Sequence, residues 1–557
     1  MYDERVPVLV VGGGYAGLSA ALLLAWRGVG VMVVERHPST SVQPKAFGVN
    51  QRAMEMLRVV PGVEDDLMEI SRGIADDMRI AIAGTLTDPN PRMIVESEDQ
   101  FAFVREITPV AGAGLPQSKV ERVLRAHAEA HGADLRFATE LVSFEQDAGG
   151  VTVVVRDRGS GETSTVRAGY LIGADGHRSP VRVAAGIPVE GFGELGMSRS
   201  ILFEADLSSV VDERVVTLWY LQNPDFDGAF ITGTGVGVHV MTVSFDPARG
   251  QSEADFTEER CVELVRIGTG IPDLVVKIVD QNTWAFAHAV ATRFSAGRVF
   301  LAGDAAHTMP PTGGQGGSTA LQDGCDLAWR LALVISGQAG PGFLDAYDAE
   351  RRPVGKMTAD GQLGNMAVRM PPTRRAGLPE APADPFAIIL GCRYHSGAVL
   401  AEPGDDGSLT EDPRHLSGRP GGRAPHFAVV RAPAAGAAPG AAGARPEGGA
   451  GTEGREISVI DLFGRGFVLL TGPGADGDAW TAAADSAAGG LGVELAAYRV
   501  GRDLEPVTGG WTARYGITGS GAVLVRPDGY VAWRSPTAVP DPETTVRDVL
   551  AAVLARG

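Results

Sequence analysis

Two short stretches hold the residues whose types and spacing could do chemistry. The first, VGGGYAG at residues 11–17, sets Gly12, Gly14 and Gly17 in a G-x-G-x-x-G pattern between an apolar run and the helical run LSAALLLAWRG, and Glu35 closes the next apolar run. Glycines so placed permit a tight turn and the close approach of a pyrophosphate to a helix N-terminus, while the carboxylate accepts hydrogen bonds from a ribose. The pattern marks a dinucleotide and does not separate NAD from FAD. The second stretch, GDAAHTMPPTGGQGG at residues 303–317, packs five glycines and two prolines around Asp304 and His307. A metal site would need more ligands, and a nucleophilic site a nucleophile. So much bare backbone suits a large flat group, with Asp304 accepting from a ribityl hydroxyl. The amides of Gly313 to Gly317, at the start of a helix, would stabilise negative charge on a reduced flavin ring.

The elements that must position these loops can be read around them. VPVLVV, GGGYAG, LSAALLLAWRG and VGVMVVER read as a βαβ unit opening a parallel sheet. The spacing predicts a polar helix over about 118–130, a strand ending in a turn within AGYLIGADGHRSPVR, and a long helix over about 318–335. Between residues 186 and 284 short β-like runs, such as VVTLWYLQ and GVHVMTVSF, predict a separate antiparallel sheet. The Ala/Gly/Pro-rich stretch 433–455 lacks any period and reads as a linker, and the strands and helix beyond it form a small α/β domain.

At 557 residues the chain needs several cores, and its net charge of −19 disfavours a nucleic-acid or anionic-membrane partner. No apolar run approaches the roughly 20 residues of a membrane span, and the start MYDERVPV has no secretory pattern, so a cytoplasmic protein is expected. Three widely spaced cysteines, Cys261, Cys325 and Cys392, offer neither a disulfide frame nor a metal cluster. No metal site is expected, and redox chemistry must come from a cofactor.

G-x-G-x-x-G with Glu35, GADGHRSPVR, GRVFLAGDAAHTMPPTGGQGG and LDAYDAERRP together resemble the fingerprints of the FAD-dependent aromatic hydroxylases, the single-component flavoprotein monooxygenases. GCRYHSGAVL, SGRPGGRAPH, SVIDLFGRGF and LVRPDGYVAWR resemble the longer members, which hydroxylate polycyclic aromatic polyketides. The resemblance implies an α/β fold: a discontinuous Rossmann-like FAD-binding domain (1–75, 101–185 and 285–395) and an antiparallel-sheet substrate domain (76–100 and 186–284). A connecting segment (396–455) and a thioredoxin-like domain without redox cysteines (456–557) follow.

It also implies FAD as cofactor, held by Gly12, Gly14, Ala16, Gly17, Glu35, Arg36, Lys45, Gln117, Asp175, Asp304, Pro311, Gly313, Gly314, Gln315, Gly316 and Gly317. Lys45 stands where the family carries arginine, which replaces a planar donor by a point charge; Arg36 or Arg52 could take part of that role. Tyr220 and Arg393 are the catalytic candidates, as groups contacting the substrate, and Arg52 and Trp219 are further flavin- or substrate-facing candidates. His307 reads as structural.

The implied reaction uses NADPH or NADH and O2 to hydroxylate a polycyclic aromatic substrate through a flavin C4a-hydroperoxide. Baeyer–Villiger oxygenation, hydroxylation of a simple phenol, an oxygen-independent flavoprotein and a non-enzymatic dinucleotide-binding regulator are the alternatives. A monomer or a homodimer is compatible with all of them.

Overall fold

A computed structural model of the chain describes residues 2–41, 46–72, 77–97, 101–212, 214–232, 238–368, 375–432 and 454–556. Lys45 and nearly all of the expected linker, 433–455, lie outside the described residues.

Strand Glu4–Val11 pairs in parallel with Val31–Glu35 on one side and Thr163–Gly173 on the other. Asp134–Phe137 and Val299–Leu301 extend the parallel run at its two ends. Strands from three separated parts of the chain therefore share one eight-stranded sheet. Helix Tyr15–Trp26 is buried on nearly every face because it packs on helix Gly316–Ile335, and its sequence is apolar all round to match. The two helices cross on bare backbone: a Cβ on Gly324 would stand 2.3 Å from the carbonyl oxygen of Ala16. Ser19 Oγ crosses the contact to the carbonyl oxygen of Leu321 at 3.2 Å.

A second eight-stranded sheet runs from Arg92–Val95 at one edge to His307–Thr308 at the other. It is antiparallel, as the alternating runs predict, except that Val215–Asn223 lies parallel to Asp77–Ala83, a strand delivered by an earlier excursion of the chain. Helix Glu258–Thr269 covers one face, where Cys261, Leu264 and Val265 pack with Phe203, Leu221, Phe230 and Met241. The other face is only half-buried.

Near the C-terminus, Phe467–Thr471 pairs in parallel with Leu495–Arg499 and antiparallel with Ala522–Val525, which pairs in turn with Val531–Ser535. With helices Gly477–Leu491 and Pro542–Val553 this is the layout of a thioredoxin-like sheet. All three cysteines are buried free thiols that precede it. Trp329 and Leu333 of helix Gly316–Ile335 share one apolar core with Phe467, Trp480 and Leu550, so the C-terminal unit is packed onto the helix that carries the second glycine loop.

Charge is buried at the same junction. Glu350 accepts from both terminal nitrogens of Arg526 at 2.6 and 2.8 Å and also pairs with Arg330. Arg330 Nε reaches Asp326 at 2.8 Å, and Arg526 Nε reaches Asp528 at 3.1 Å. A second knot joins Arg52 and Arg423 to Glu55, each at 3.0 Å, and Arg52 also donates to the carbonyl oxygen of Asp528 at 2.5 Å. Asp326, Glu350 and Asp528 converge closely enough to hold a cation, and the guanidinium groups of Arg330 and Arg526 fill that role. Burial pushes the Glu55 carboxyl up, but the charges of Arg423 and Arg52 outweigh it and hold the group down at about 2.

Two outcomes are expected. Glu350→Gln strips two buried arginines of their shared counter-charge and costs about 3–5 kcal/mol in denaturant unfolding. Glu55 titrates near 4.5 when unfolded and near 2 when folded, so its stabilisation is complete above pH 4.5 and is lost as pH falls from 4.5 towards 2. Urea midpoints across that window check the sign: Glu55→Gln should flatten this part of the profile.

Candidate active site

The first glycine turn is closed by its own backbone. Gly12 has φ +111°, and a Cβ there would stand 2.1 Å from the carbonyl oxygen of Ala174, so only glycine fits. At Gly17 a Cβ would stand 1.9 Å from the carbonyl oxygen of Gly12. Gly14 differs: a Cβ there would find only Glu121 Oε1 within 4 Å, at 3.9 Å, which leaves an open cradle immediately before the helix N-terminus. Glu35 Oε2 accepts from the Gly13 amide at 2.7 Å, and Oε1 accepts from the His37 amide at 2.9 Å, which holds the carboxylate at the mouth of the turn.

The second glycine loop is held from below. The buried Asp323 accepts from the Gly303 amide at 3.0 Å and pairs with His307 Nε2 at 2.6 Å through one oxygen, and with Arg351 Nε at 2.9 Å through the other. Burial raises the Asp323 carboxyl, yet the charges of Arg351 and His307 prevail and keep it below its ordinary value. This triad fixes the turn from which Asp304 projects, exposed, at the end of strand Val299–Leu301. Thr312 Oγ1 donates to the carbonyl oxygen of Gln362 at 2.5 Å, and Gly313, at φ +113°, approaches Gln362 so closely that a Cβ would stand 2.4 Å from its Oε1. Pro311, Gly313 and Gly314 are exposed; Gln315 accepts from Asn50 at 2.8 Å; Gly316 and Gly317 open the long helix.

Both loops belong to one site. Ala16 and Ala320 both face the position a Cβ of Gly303 would take, each 3.1 Å away, and Gly317 lies against Tyr15 and Ala46. Gln117 ties in the next segment: its Oε1 accepts from the Ala46 amide at 3.3 Å and its Nε2 donates to Glu121 at 2.6 Å.

The half-buried sheet face continues into this site. Strand alternation puts Asn282, Trp284, Phe286 and His288 on one face. His288 Nε2 reaches Asp360 at 2.9 Å, on the same helix as the Gln362 that holds the glycine loop. Across the register, Ser200, Thr242, Leu218, Tyr220 and Ile82 share that face, and Trp284 Nε1 donates to Ser200 Oγ at 2.9 Å. The result is a broad apolar wall with a few hydroxyl and amide groups, the composition of a small-molecule site.

Residues 5–362 match the FAD binding domain family, and residues 439–557 match the aromatic-ring hydroxylase C-terminal family. The chain is 42% identical to aklavinone 12-hydroxylase RdmE of Streptomyces purpurascens over all of both chains. It is 39% identical to 4-methyl-5-nitrocatechol 5-monooxygenase of a Burkholderia species, over all of this chain and 98% of that one. The crystal structure of aklavinone-11 hydroxylase in a ternary complex with FAD and aklavinone superposes with a TM-score of 0.90 at 41% identity, covering both chains in full. The chain belongs to the FAD-dependent aromatic-ring hydroxylases.

FAD is the cofactor of this hydroxylase, and the residues present fit it: an open cradle at Gly14, an acid beside the first turn, and exposed loop backbone at the second. Two other expected cofactor residues have partners within the protein. Asp175 lies beside the glycine turn but is engaged locally, accepting from Ser179 Oγ at 2.5 Å and the Val181 amide at 2.9 Å, and burial pushes its carboxyl up. Arg36 is exposed, and its carbonyl oxygen accepts from Arg158 at 2.9 Å.

Three expectations are corrected. Arg52 does not replace the missing arginine, because its donors are spent on Glu55 and Asp528 beneath the C-terminal domain. Trp219 does not face the substrate: it packs into the helix-covered face, and its indole N–H reaches Thr232 at 3.2 Å. Arg393 does not present its terminal nitrogens to a substrate, since they are bound to Asp405 at 2.5 Å, Asp406 at 2.6 Å and Ser408 Oγ at 2.8 Å, with the side chain 0% exposed. Sequence reasoning missed Asp323 and Arg351. The available signal was the pair of acids, Asp323 and Asp326, inside a helix whose run of Ala, Leu, Trp, Val and Ile marks it as buried, because buried carboxylates require partners.

Gly14→Val should fill the cradle while leaving the turn intact. The variant is expected to keep its far-UV circular dichroism but to purify colourless, with FAD affinity weaker by more than about 100-fold in fluorescence titration.

Proposed function

We propose that this hydroxylase adds one hydroxyl group to a ring of a polycyclic aromatic polyketide, with NADPH as reductant and O2 as the oxygen source. The observation that carries the reading is the half-buried sheet face beside the second glycine loop. Its extent across six strands, from Ile82 to Asn282, suits a flat multi-ring ligand. Full-length identity to a protein named for acting on aklavinone supports the same substrate class. Only one dinucleotide fingerprint is present, so the nicotinamide nucleotide is a visiting substrate rather than a resident.

Bound FAD supplies the electron and oxygen transfer chemistry. The chain's own work is to hold the aromatic ring against the loop, exclude water and stabilise the phenolate that makes the ring reactive. Tyr220, opposite Ala229 and Ile82 on the open face and turned away from the helix-covered core, is the residue we assign to the last task. The Burkholderia relative, named for acting on a nitrocatechol, favours a second reading in which the substrate is a single-ring phenol.

The test is NADPH oxidation with O2 and either an anthracyclinone-type aglycone or 4-methyl-5-nitrocatechol, followed by product analysis. The expected outcome is coupled turnover on the polycycle to a phenol one oxygen heavier. Coupled turnover on the nitrocatechol alone would establish the second reading, and a lactone product would establish ring-expanding oxygenation. Tyr220→Phe should lower kcat/KM for the polycycle by about tenfold with FAD content unchanged.

A further inference from the structure

The G-x-G-x-x-G pattern leaves the residue after its second glycine unspecified, and in this chain that position holds tyrosine. Tyr15 is the first residue of the helix and only 5% exposed. The edge of its ring lies 3.0 Å from where a Cβ of Gly317 would stand, and Ala46 faces the same point from 3.2 Å. The ring therefore stands where three pieces of chain meet: the first glycine turn, the start of the second loop's helix, and the segment tied to Gln117.

Its hydroxyl is buried and has no hydrogen-bond partner among the described residues. Glu121, whose charge reaches it, is turned to Gln117 Nε2 at 2.6 Å and the Ser41 amide at 2.9 Å. Burial, reinforced by Glu121, keeps the phenol protonated well above its ordinary value, so at any physiological pH this group is a donor. A phenylalanine would fill the same space without stranding a polar atom, and buried donors in native proteins are otherwise almost always paired. Among the described residues the hydroxyl thus lacks an acceptor at the junction of the two cofactor loops.

We infer that Tyr15 is a further cofactor-holding residue, whose hydroxyl donates a hydrogen bond to an oxygen of bound FAD where the two glycine loops meet. The inference rests on FAD being the cofactor, and a parallel wild-type titration keeps the two claims separable.

The experiment titrates wild-type and Tyr15→Phe apoprotein with FAD, reading flavin fluorescence, and records the melting temperature of each apoprotein. The expected result is about a tenfold weaker Kd, ~1.4 kcal/mol, at an unchanged apoprotein melting temperature. An unchanged Kd overturns the inference. So does a weaker Kd accompanied by an equally weakened apoprotein, which would mark a packing role. If ADP loses affinity in the same proportion, the acceptor lies on the pyrophosphate half of FAD; if only FAD does, it lies on the flavin half, and either result supports the bond.

Should Tyr15→Phe fail to fold, 3-fluorotyrosine in place of Tyr15 keeps the ring and strengthens the donor. FAD should then bind about twofold tighter, and equal affinity overturns the inference. Failure of the wild-type apoprotein to bind FAD would count against the cofactor assignment instead.

Discussion

The pairing of Glu350 with Arg330 and Arg526, all three side chains at 0% exposure, is the contact on which the remaining arrangement depends. The partners come from three places: helix Asp345–Ala367, helix Gly316–Ile335, and the turn between the last two strands of the C-terminal sheet. Burying each charge alone would cost several kcal/mol, and the cost is offset only where every partner is in place. The apolar seam around Trp329, Phe467 and Trp480 supplies attraction but tolerates sliding; the carboxylates and guanidinium groups do not. Their contribution is registry more than net stability, and one registry satisfies both the Glu350 and the Glu55 knots.

That registry is carried to the cofactor loop by direct contacts. Arg351, next in sequence to Glu350, bonds Asp323, and Asp323 holds the amide of Gly303. Arg351 also donates to the hydroxyl of Tyr394 at 3.1 Å, and Tyr394 stacks on Tyr530 of the C-terminal unit with centroids 4.0 Å apart. Arg52 lies over the Tyr530 ring at 4.9 Å. A domain with no redox cysteines thereby acts on the site by fixing the helix from which the second glycine loop starts. The catalytic chemistry stays with the cofactor, and the appendage determines where the loop stands.

Much of this was legible in the sequence because it is local. The glycine spacing, Glu35, the GD turn and the helix after GGQGG each follow from a few neighbouring residues, and the structure places them together at two crossing helix N-termini. The misreadings concern partners distant in sequence. Nothing near Arg393 announced that the turn from Asp405 to Ser408 would take its guanidinium, or near Arg52 that Asp528 would. Trp219 and Tyr220 are adjacent aromatics in one strand, and alternation guarantees that they part ways. Which of them meets the site depends on which face helix Glu258–Thr269 covers, and the strand itself does not encode that.

That alternation also separates two demands on the same strands. Residues Phe203, Leu221, Phe230 and Met241 must pack against the covering helix, whereas Ser200, Leu218, Tyr220 and Thr242 need only present a surface. A substitution on the open face leaves the packed face and the strand register unchanged, so ring size and hydrogen-bonding pattern can be retuned at little expense to the fold. The cofactor loops have no such freedom, since a Cβ at Gly12, Gly17 or Gly313 meets backbone or a fixed side chain within 2.4 Å. If the proposed open face meets the substrate, its side chains can change without disturbing the glycine turns or the buried charges beneath them.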